Sequence, residues 1–216
     1  MSKKFKLGVV GDPIEHSLSP FIHSRFSRNE NINLNYLAYR VNNDELDIFI
    51  KEFFQDKEAK GLNITLPHKK RAALLEGKIS QEARYINAVN TIVKENDKLH
   101  LFSTDGAGFI NDIENKKFNL KNKNILIIGA GAAVESILYR VATAKPMKIT
   151  VINRTIEKAD RLIRKFGNMT KIRSEAEIDR PFDLVINGSS AGLTGDFFPE
   201  ENIPLTSKTY FYDLNY

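Results

Sequence analysis

Two α/β domains in series are the architecture this sequence predicts, and three observations carry it. Short apolar runs alternate with stretches at helical spacing from Phe5 onward, the pattern of strands and helices layered on a sheet. A hairpin signal, Glu95-Asn96-Asp97-Lys98, adds an antiparallel pair to an otherwise alternating series, so the first sheet should be mixed. A glycine-rich turn directly after the apolar run Asn124–Ile128 opens a second βα series of the Rossmann type. The expected organisation is an N-terminal mixed-sheet α/β domain, 1–110, then a Rossmann-type domain, 111–216, with a cleft between them. The polar stretch Lys121-Asn122-Lys123 marks the change, and the linker falls between residues 105 and 122, since a new apolar strand needs its own core.

The elements follow in order. Phe5–Val10 reads as a strand closed by Gly11-Asp12-Pro13. Ser19 before Pro20 suits an N-cap with proline at the first helical position, and the helix should run to about Arg28,. Leu34–Val41 is a second strand, and Asp44–Phe54 has helical spacing of Leu46, Ile48, Phe49, Phe53 and Phe54,. In Gly61–Leu66, apolar Leu62, Ile64 and Leu66 alternate with Asn63 and Thr65, a strand that Pro67 ends,. His68–Glu76 and Ile79–Ile86 have helical composition; Ala88–Val93 leads into the hairpin strand, with Leu99–Ser103 as its partner. In the second half, Asn124–Ile128, Lys148–Ile152, Phe182–Asn187 and Tyr210–Leu214 read as strands, and a helix should run from the glycine turn to about Ala144.

Composition narrows the function. The 216 residues are 42% hydrophobic and 27% charged, an ordinary globular balance with room for two modest cores. No apolar run is long enough for a bilayer and the start lacks a signal-like h-region, so a cytoplasmic protein is expected. Cysteine is absent, which removes disulfides and thiolate metal sites; no metal is expected. The net charge of +5 is spread among acidic residues, so nucleic acid is not an expected partner, whereas an anionic small molecule is.

Several side chains fall at strand ends, where open α/β sheets bind ligands. Ser17 and Ser19 lie at a strand-to-helix junction, suited to a carboxylate or phosphate. Thr65, His68 and Lys69 follow a strand, and Lys69 is a point donor there. Asp105 lies just past another strand end, where an opposite charge would hold Lys69 protonated and directed. Gly129-Ala130-Gly131-Ala132-Ala133-Val134 opens a helix, as a pyrophosphate-binding turn does. Val134 occupies the third fingerprint position, usually Gly or Ala. Glu135 stands beside the turn and is expected to point outward along the helix. The second strand ends in Asn153-Arg154-Thr155 instead of the acidic residue that reads a ribose 2′-hydroxyl, so NADP is expected, with Arg154 on the 2′-phosphate. The small-residue loop Gly188–Gly192 leaves room for a flat nicotinamide ring.

Together, S-L-S-P, N-I-T-L-P-H-K, N-A-V-N-T, T-D-G-A-G-F, G-A-G-A-A, I-N-R-T, I-N-G-S-S-A-G-L and the terminal D-L-N-Y resemble the shikimate dehydrogenase family over essentially the whole chain. The resemblance implies NADPH-dependent reduction of 3-dehydroshikimate to shikimate, in aromatic amino acid biosynthesis, by a monomer or homodimer. It implies that Ser17 and Ser19 hold the substrate carboxylate, that Thr65, Asn90 and Asp105 hold ring hydroxyls, and that Lys69 with Asp105 serves proton transfer. Tyr216 would close on the substrate. Gly129 to Ala133 would cradle the pyrophosphate, Asn153, Arg154 and Thr155 the 2′-phosphate, with Lys158 and Leu214 as further cofactor contacts. It also implies several tens of residues beyond Tyr216, so a fragment or a natural short form is expected here. The alternatives are a quinate/shikimate paralogue and a ligand-binding form with little activity.

Overall fold

The computed structural model describes residues 4–174, 181–189 and 203–214. The chain divides into two compact units, Met1–Thr104 and Asp105–Tyr216.

The first unit is built on a six-stranded mixed sheet. Its strands β1 (Lys4–Gly11), β2 (Asn33–Arg40), β3 (Ala59–Ile64), β4 (Lys78–Ile79), β5 (Thr91–Glu95) and β6 (Lys98–Phe102) lie in the order β2-β1-β3-β5-β6-β4. β1 pairs parallel with β2 and β3, while β5 runs antiparallel to β3 and β6. The hairpin forms where expected: Asn96 and Asp97 take φ of 48° and 60°, the left-handed pair that a two-residue turn requires. Four helices belong to this unit: α1 (Ser19–Asn29), α2 (Leu46–Phe53), α3 (Lys69–Ala72) and α4 (Gln81–Ile86). Leu46, Ile50 and Phe53 bury one face of α2 against Leu62, Ile64, Ile92 and Leu101 of the sheet. Burying each of these side chains fully contributes about 1.5–3 kcal/mol.

Three local expectations change. Ser19 is the first helical residue and not the cap; Leu18 takes that place, and Ser17 Oγ accepts from the Ser19 N–H at 3.3 Å. The helix expected over His68–Glu76 shortens to the four residues of α3. The chain has to return to the sheet there, since Lys78 and Ile79 pair with His100 and Leu101. Gly77 passes so close to Leu99 that a Cβ would lie 2.7 Å from its carbonyl oxygen. For the same reason Ile79–Ile86 is not one helix. Ile79 is in β4, and Ser80 caps α4 by accepting from the Ala83 N–H at 3.2 Å.

The second unit carries an all-parallel sheet of β7 (Asn124–Ile128), β8 (Lys148–Ile152), β9 (Ile172–Ser174), β10 (Leu184–Asn187) and β11 (Tyr210–Asp213), in the order β11-β10-β7-β8-β9. The last four residues of β7 are buried, as a parallel strand covered on both faces requires. Among the described residues, helices α5 (Asp105–Asn115), α6 (Ala132–Thr143) and α7 (Ile156–Phe166) belong to this unit, and α5 packs on α6. β9 has no counterpart in the sequence reading. Among the described residues, no helix is long and apolar enough to cross a membrane.

Candidate active site

In the first unit the ends of β1 and β3 carry two loops that are stitched together. Asp12 N–H donates to the Leu66 carbonyl at 3.0 Å, and Thr65 N–H donates to the Val10 carbonyl at 2.9 Å. Gly11 makes this approach feasible: a Cβ there would lie 2.7 Å from the Thr65 methyl carbon and 2.9 Å from Ile14 Cδ1. The first loop holds Ser17, whose N–H donates to the Ile14 carbonyl at 3.0 Å. Arg40 at the end of β2 braces it, with Nε 2.8 Å from Asp12 Oδ1 and Nη1 3.0 Å from Glu15 Oε1. The hydrogen bond to Asp12, with the Glu15 charge, raises Arg40 above its ordinary value, and backbone N–H donors, with a smaller contribution from Arg40, lower the Glu15 carboxyl.

The second loop holds Thr65 and Lys69, both partly buried. Its Leu66–Pro67 peptide is cis. The Lys69 carbonyl accepts from the Val89 N–H at 2.8 Å, which fixes α3 to the segment carrying Asn90. His68, one residue earlier, is fully buried; its Nε2 lies 2.8 Å from the Val41 carbonyl and Nδ1 3.3 Å from Asn43 Oδ1. The histidine thus ties the lysine turn to the loop after β2.

Asn90 is anchored through both its backbone and its side chain. It is 9% exposed, its N–H donates to Phe102 and its carbonyl accepts from Ile64. Its Oδ1 accepts from Thr91 Oγ1 at 2.9 Å, Thr104 N–H at 3.0 Å and Thr104 Oγ1 at 3.1 Å. Asp105 follows Thr104 directly and is the first residue of α5. Sequence reasoning overlooked Tyr36 and Asn63. Tyr36 is buried, stacks on His23 with ring centroids 4.1 Å apart and donates to Asn63 Oδ1 at 2.8 Å. Burial pushes the phenol up to about 12, against a lowering hydrogen bond from Ser19; burial also lowers His23. The signal was available: both are polar residues at buried or half-buried strand positions, which require partners.

The second unit presents the glycine turn. Gly129 has φ of 102°, and a Cβ on it would lie 2.8 Å from the Gly188 carbonyl. Gly188 is equally crowded: a Cβ there would lie 2.4 Å from Val134 Cγ2 and 3.1 Å from Leu214 Cδ1. Val134 is fully buried, so the unusual third fingerprint residue fits because Gly188 leaves it space. Asn187 sets that loop, accepting on Oδ1 from Ser189 N–H at 3.1 Å and Ser189 Oγ at 2.8 Å.

Gly131, Ala132 and Ala133 are exposed at the start of α6, and nothing lies within 4 Å of a Cβ on Gly131. Open space, no side chain larger than methyl and free helix N–H groups suit a pyrophosphate. Ala130 is buried beneath the turn. Glu135 does not point outward along the helix as expected. It turns to α7, where Lys165 Nζ stands 2.8 Å and Arg161 Nη2 3.7 Å from its oxygens, so its charge is paired. Asn153, Arg154 and Thr155 follow β8; Asn153 Nδ2 donates to the Thr155 carbonyl at 2.7 Å, and Thr155 occupies the capping position of α7. Arg154 and Lys158 are exposed there. Leu214 N–H donates to the Asn187 carbonyl at 2.8 Å. Tyr216 and the loop residues Ser190, Ala191 and Gly192 lie outside the described residues. Among the described residues there is no group of three or more acidic or histidine ligands placed for a metal ion.

Comparison with known proteins places this geometry in a family. Residues 9–92 match the shikimate dehydrogenase substrate binding domain, and residues 112–194 match shikimate / quinate 5-dehydrogenase. The chain is 40% identical over 213 residues to shikimate dehydrogenase (NADP(+)) of Legionella pneumophila, covering 98% of this chain and 78% of that protein. The enzyme of that name from Nitrosopumilus maritimus is 36% identical, covering 100% and 80%. Among solved structures, shikimate 5-dehydrogenase from Thermus thermophilus in complex with NADP(H) and shikimate superposes with a TM-score of 0.82 at 28% identity, covering 97% and 78%. The ligand-free 5-ketofructose reductase of a Gluconobacter strain superposes with a TM-score of 0.85 at 26% identity, covering 97% and 78%. The chain belongs to the shikimate dehydrogenase family.

Proposed function

We propose that this chain reduces 3-dehydroshikimate reversibly to shikimate with NADPH. The observation that carries the reading is the backbone bond from Val89 to Lys69, which fixes a candidate proton donor beside the anchored amide of Asn90. NADPH, when bound, supplies the hydride to the carbonyl carbon. Negative charge then builds on the carbonyl oxygen, and Lys69 stabilises that charge and delivers the proton that completes the alcohol. Asp105 accepts from a ring hydroxyl. Thr65 and Asn90 orient the ring, and Ser17 and Ser19 receive the carboxylate.

On the cofactor side, backbone N–H groups at Gly131 to Ala133 meet the pyrophosphate. Arg154, with Asn153, Thr155 and Lys158, would hold the 2′-phosphate, and Leu214 would be a further cofactor contact. The decisive assay is shikimate-dependent NADP reduction at alkaline pH, wild type against Lys69→Ala. Equal rates in the two proteins would remove Lys69 from the mechanism, and no rate in either would remove the activity.

Quinate is the second reading, because the matched description of residues 112–194 names both acids. Turnover of shikimate and quinate side by side separates them.

A further inference from the structure

The glycine turn of the second unit is made of backbone, and one pair of side chains ties it from outside. Asn187 is the last residue of β10, and its register partner is Asp213, the last residue of β11, which lies at the sheet edge among the described residues. Asn187 Oδ1 accepts from the backbone N–H of Ser189 at 3.1 Å and from Ser189 Oγ at 2.8 Å. A backbone N–H can only donate, so it fixes which end of the amide is oxygen. Nδ2 therefore faces β11, where it stands 3.3 Å and 3.2 Å from the two carboxylate oxygens of Asp213. An ionised carboxylate only accepts, so the bond runs from Asn187 to Asp213 and is charge-assisted. The backbone of Asn187 makes the next tie: its carbonyl accepts from the Leu214 N–H at 2.8 Å. That rung lies just past a strand of four residues, at a position where pairing frays readily. Leu214 is the residue whose Cδ1 fills the space beside Gly188.

We propose that Asn187 and Asp213 are positioning residues: their side-chain bond clamps the end of β11 to the Gly188–Ser189 turn and so holds Leu214 against Gly188, on the wall of the cofactor site. The amide suits this place because it faces two ways, with its oxygen on its own turn and its nitrogen on the neighbouring strand. Asn187→Asp keeps the Ser189 bonds, since a carboxylate accepts both, but sets two carboxylates against each other. The swap Asn187→Asp/Asp213→Asn restores every bond, with donor and acceptor exchanged between the two strands. The proposal rests on the reading of this unit as the NADP site.

The test compares Asn187→Asp alone with the swap. Asn187→Asp should raise KM for NADP about tenfold, the lower range for a hydrogen bond to a charged group, and leave KM for shikimate unchanged. The swap should return KM for NADP to within about twofold of wild type. A swap no better than Asn187→Asp, or a wild-type KM in Asn187→Asp, overturns the proposal. Asp213→Ala removes the acceptor without adding a like charge and should raise KM for NADP by less; no rise there overturns the proposal. Deuterium exchange of the Leu214 N–H in the cofactor-free protein reads the clamp without turnover. It should quicken in Asn187→Asp and in Asp213→Ala and slow again in the swap, and unchanged exchange overturns the proposal. A wild type that binds no NADP would reject the cofactor reading alone, since the exchange still decides the clamp.

Discussion

The two units arrange the strand ends proposed to meet a ligand with different parts of the chain. In the first unit the arrangement is made by side chains: Tyr36, Asn63, Thr91, Asn90 and Thr104 hand hydrogen bonds to one another along the mixed sheet. In the second, backbone does it. Gly129 and Gly188 bring two strand ends within contact, and α6 begins with residues no larger than alanine. The first design fails when a functional group is removed, the second when a carbon atom is added. That contrast also separates what each half can tune. Hydrogen-bonding side chains can discriminate between ring hydroxyls, whereas a bare turn recognises what every dinucleotide shares.

Experiments can sharpen or break the contrast. The largest effect is expected from Lys69→Ala, which should lower turnover by about 10²–10⁴ and leave NADP affinity unchanged in a titration. A parallel loss of cofactor binding would blur the two designs. Gly129→Ala should do the reverse. Its φ of 102° and the 2.8 Å approach to Gly188 leave no strain-free place for a methyl group. It should destabilise by more than about 1 kcal/mol in denaturant unfolding and abolish NADP binding, while calorimetry still detects shikimate. Arg154→Ala is a milder test, since it removes one side chain from a backbone-built site. It should weaken NADP about 10- to 100-fold, the range for a charged hydrogen bond, and leave NAD nearly unaffected.

The smallest effect concerns pH. The Tyr36 phenol is raised from 10.0 to about 12 in the folded protein, chiefly by burial. The folded state therefore holds this proton more tightly than the unfolded chain. The associated stability is complete below pH 10 and is lost as pH rises from 10 towards 12,. Melting curves at pH 9 and 11 should show a smaller alkaline loss in Tyr36→Phe than in wild type. An identical loss would mean that Tyr36 is not the group responsible.

The sequence exposed the backbone-built half more fully than the side-chain half. The turn from Gly129 to Ala133 announces itself locally, because the glycines and the helix that follows are neighbours in the chain. The role of Val134 was less legible, since the space it fills is left by Gly188, more than fifty residues onward. In the first unit, Lys69, Thr65 and the serines stood out as polar residues at strand ends, whereas Asn90 came only from the family resemblance. Tyr36 and Asn63 looked like ordinary strand residues until the sheet set them side by side. The short α3 shows the same limit. Helical composition over His68–Glu76 yields to the pairing of β4 with β6, because tertiary pairing outweighs local propensity.

The bond from Val89 to the Lys69 carbonyl has a practical consequence. That single amide proton cannot exchange with solvent until the lysine turn lifts away from the segment behind it. Its deuterium uptake is therefore a built-in gauge of how often the Lys69 turn leaves its place, readable with no substrate in the tube.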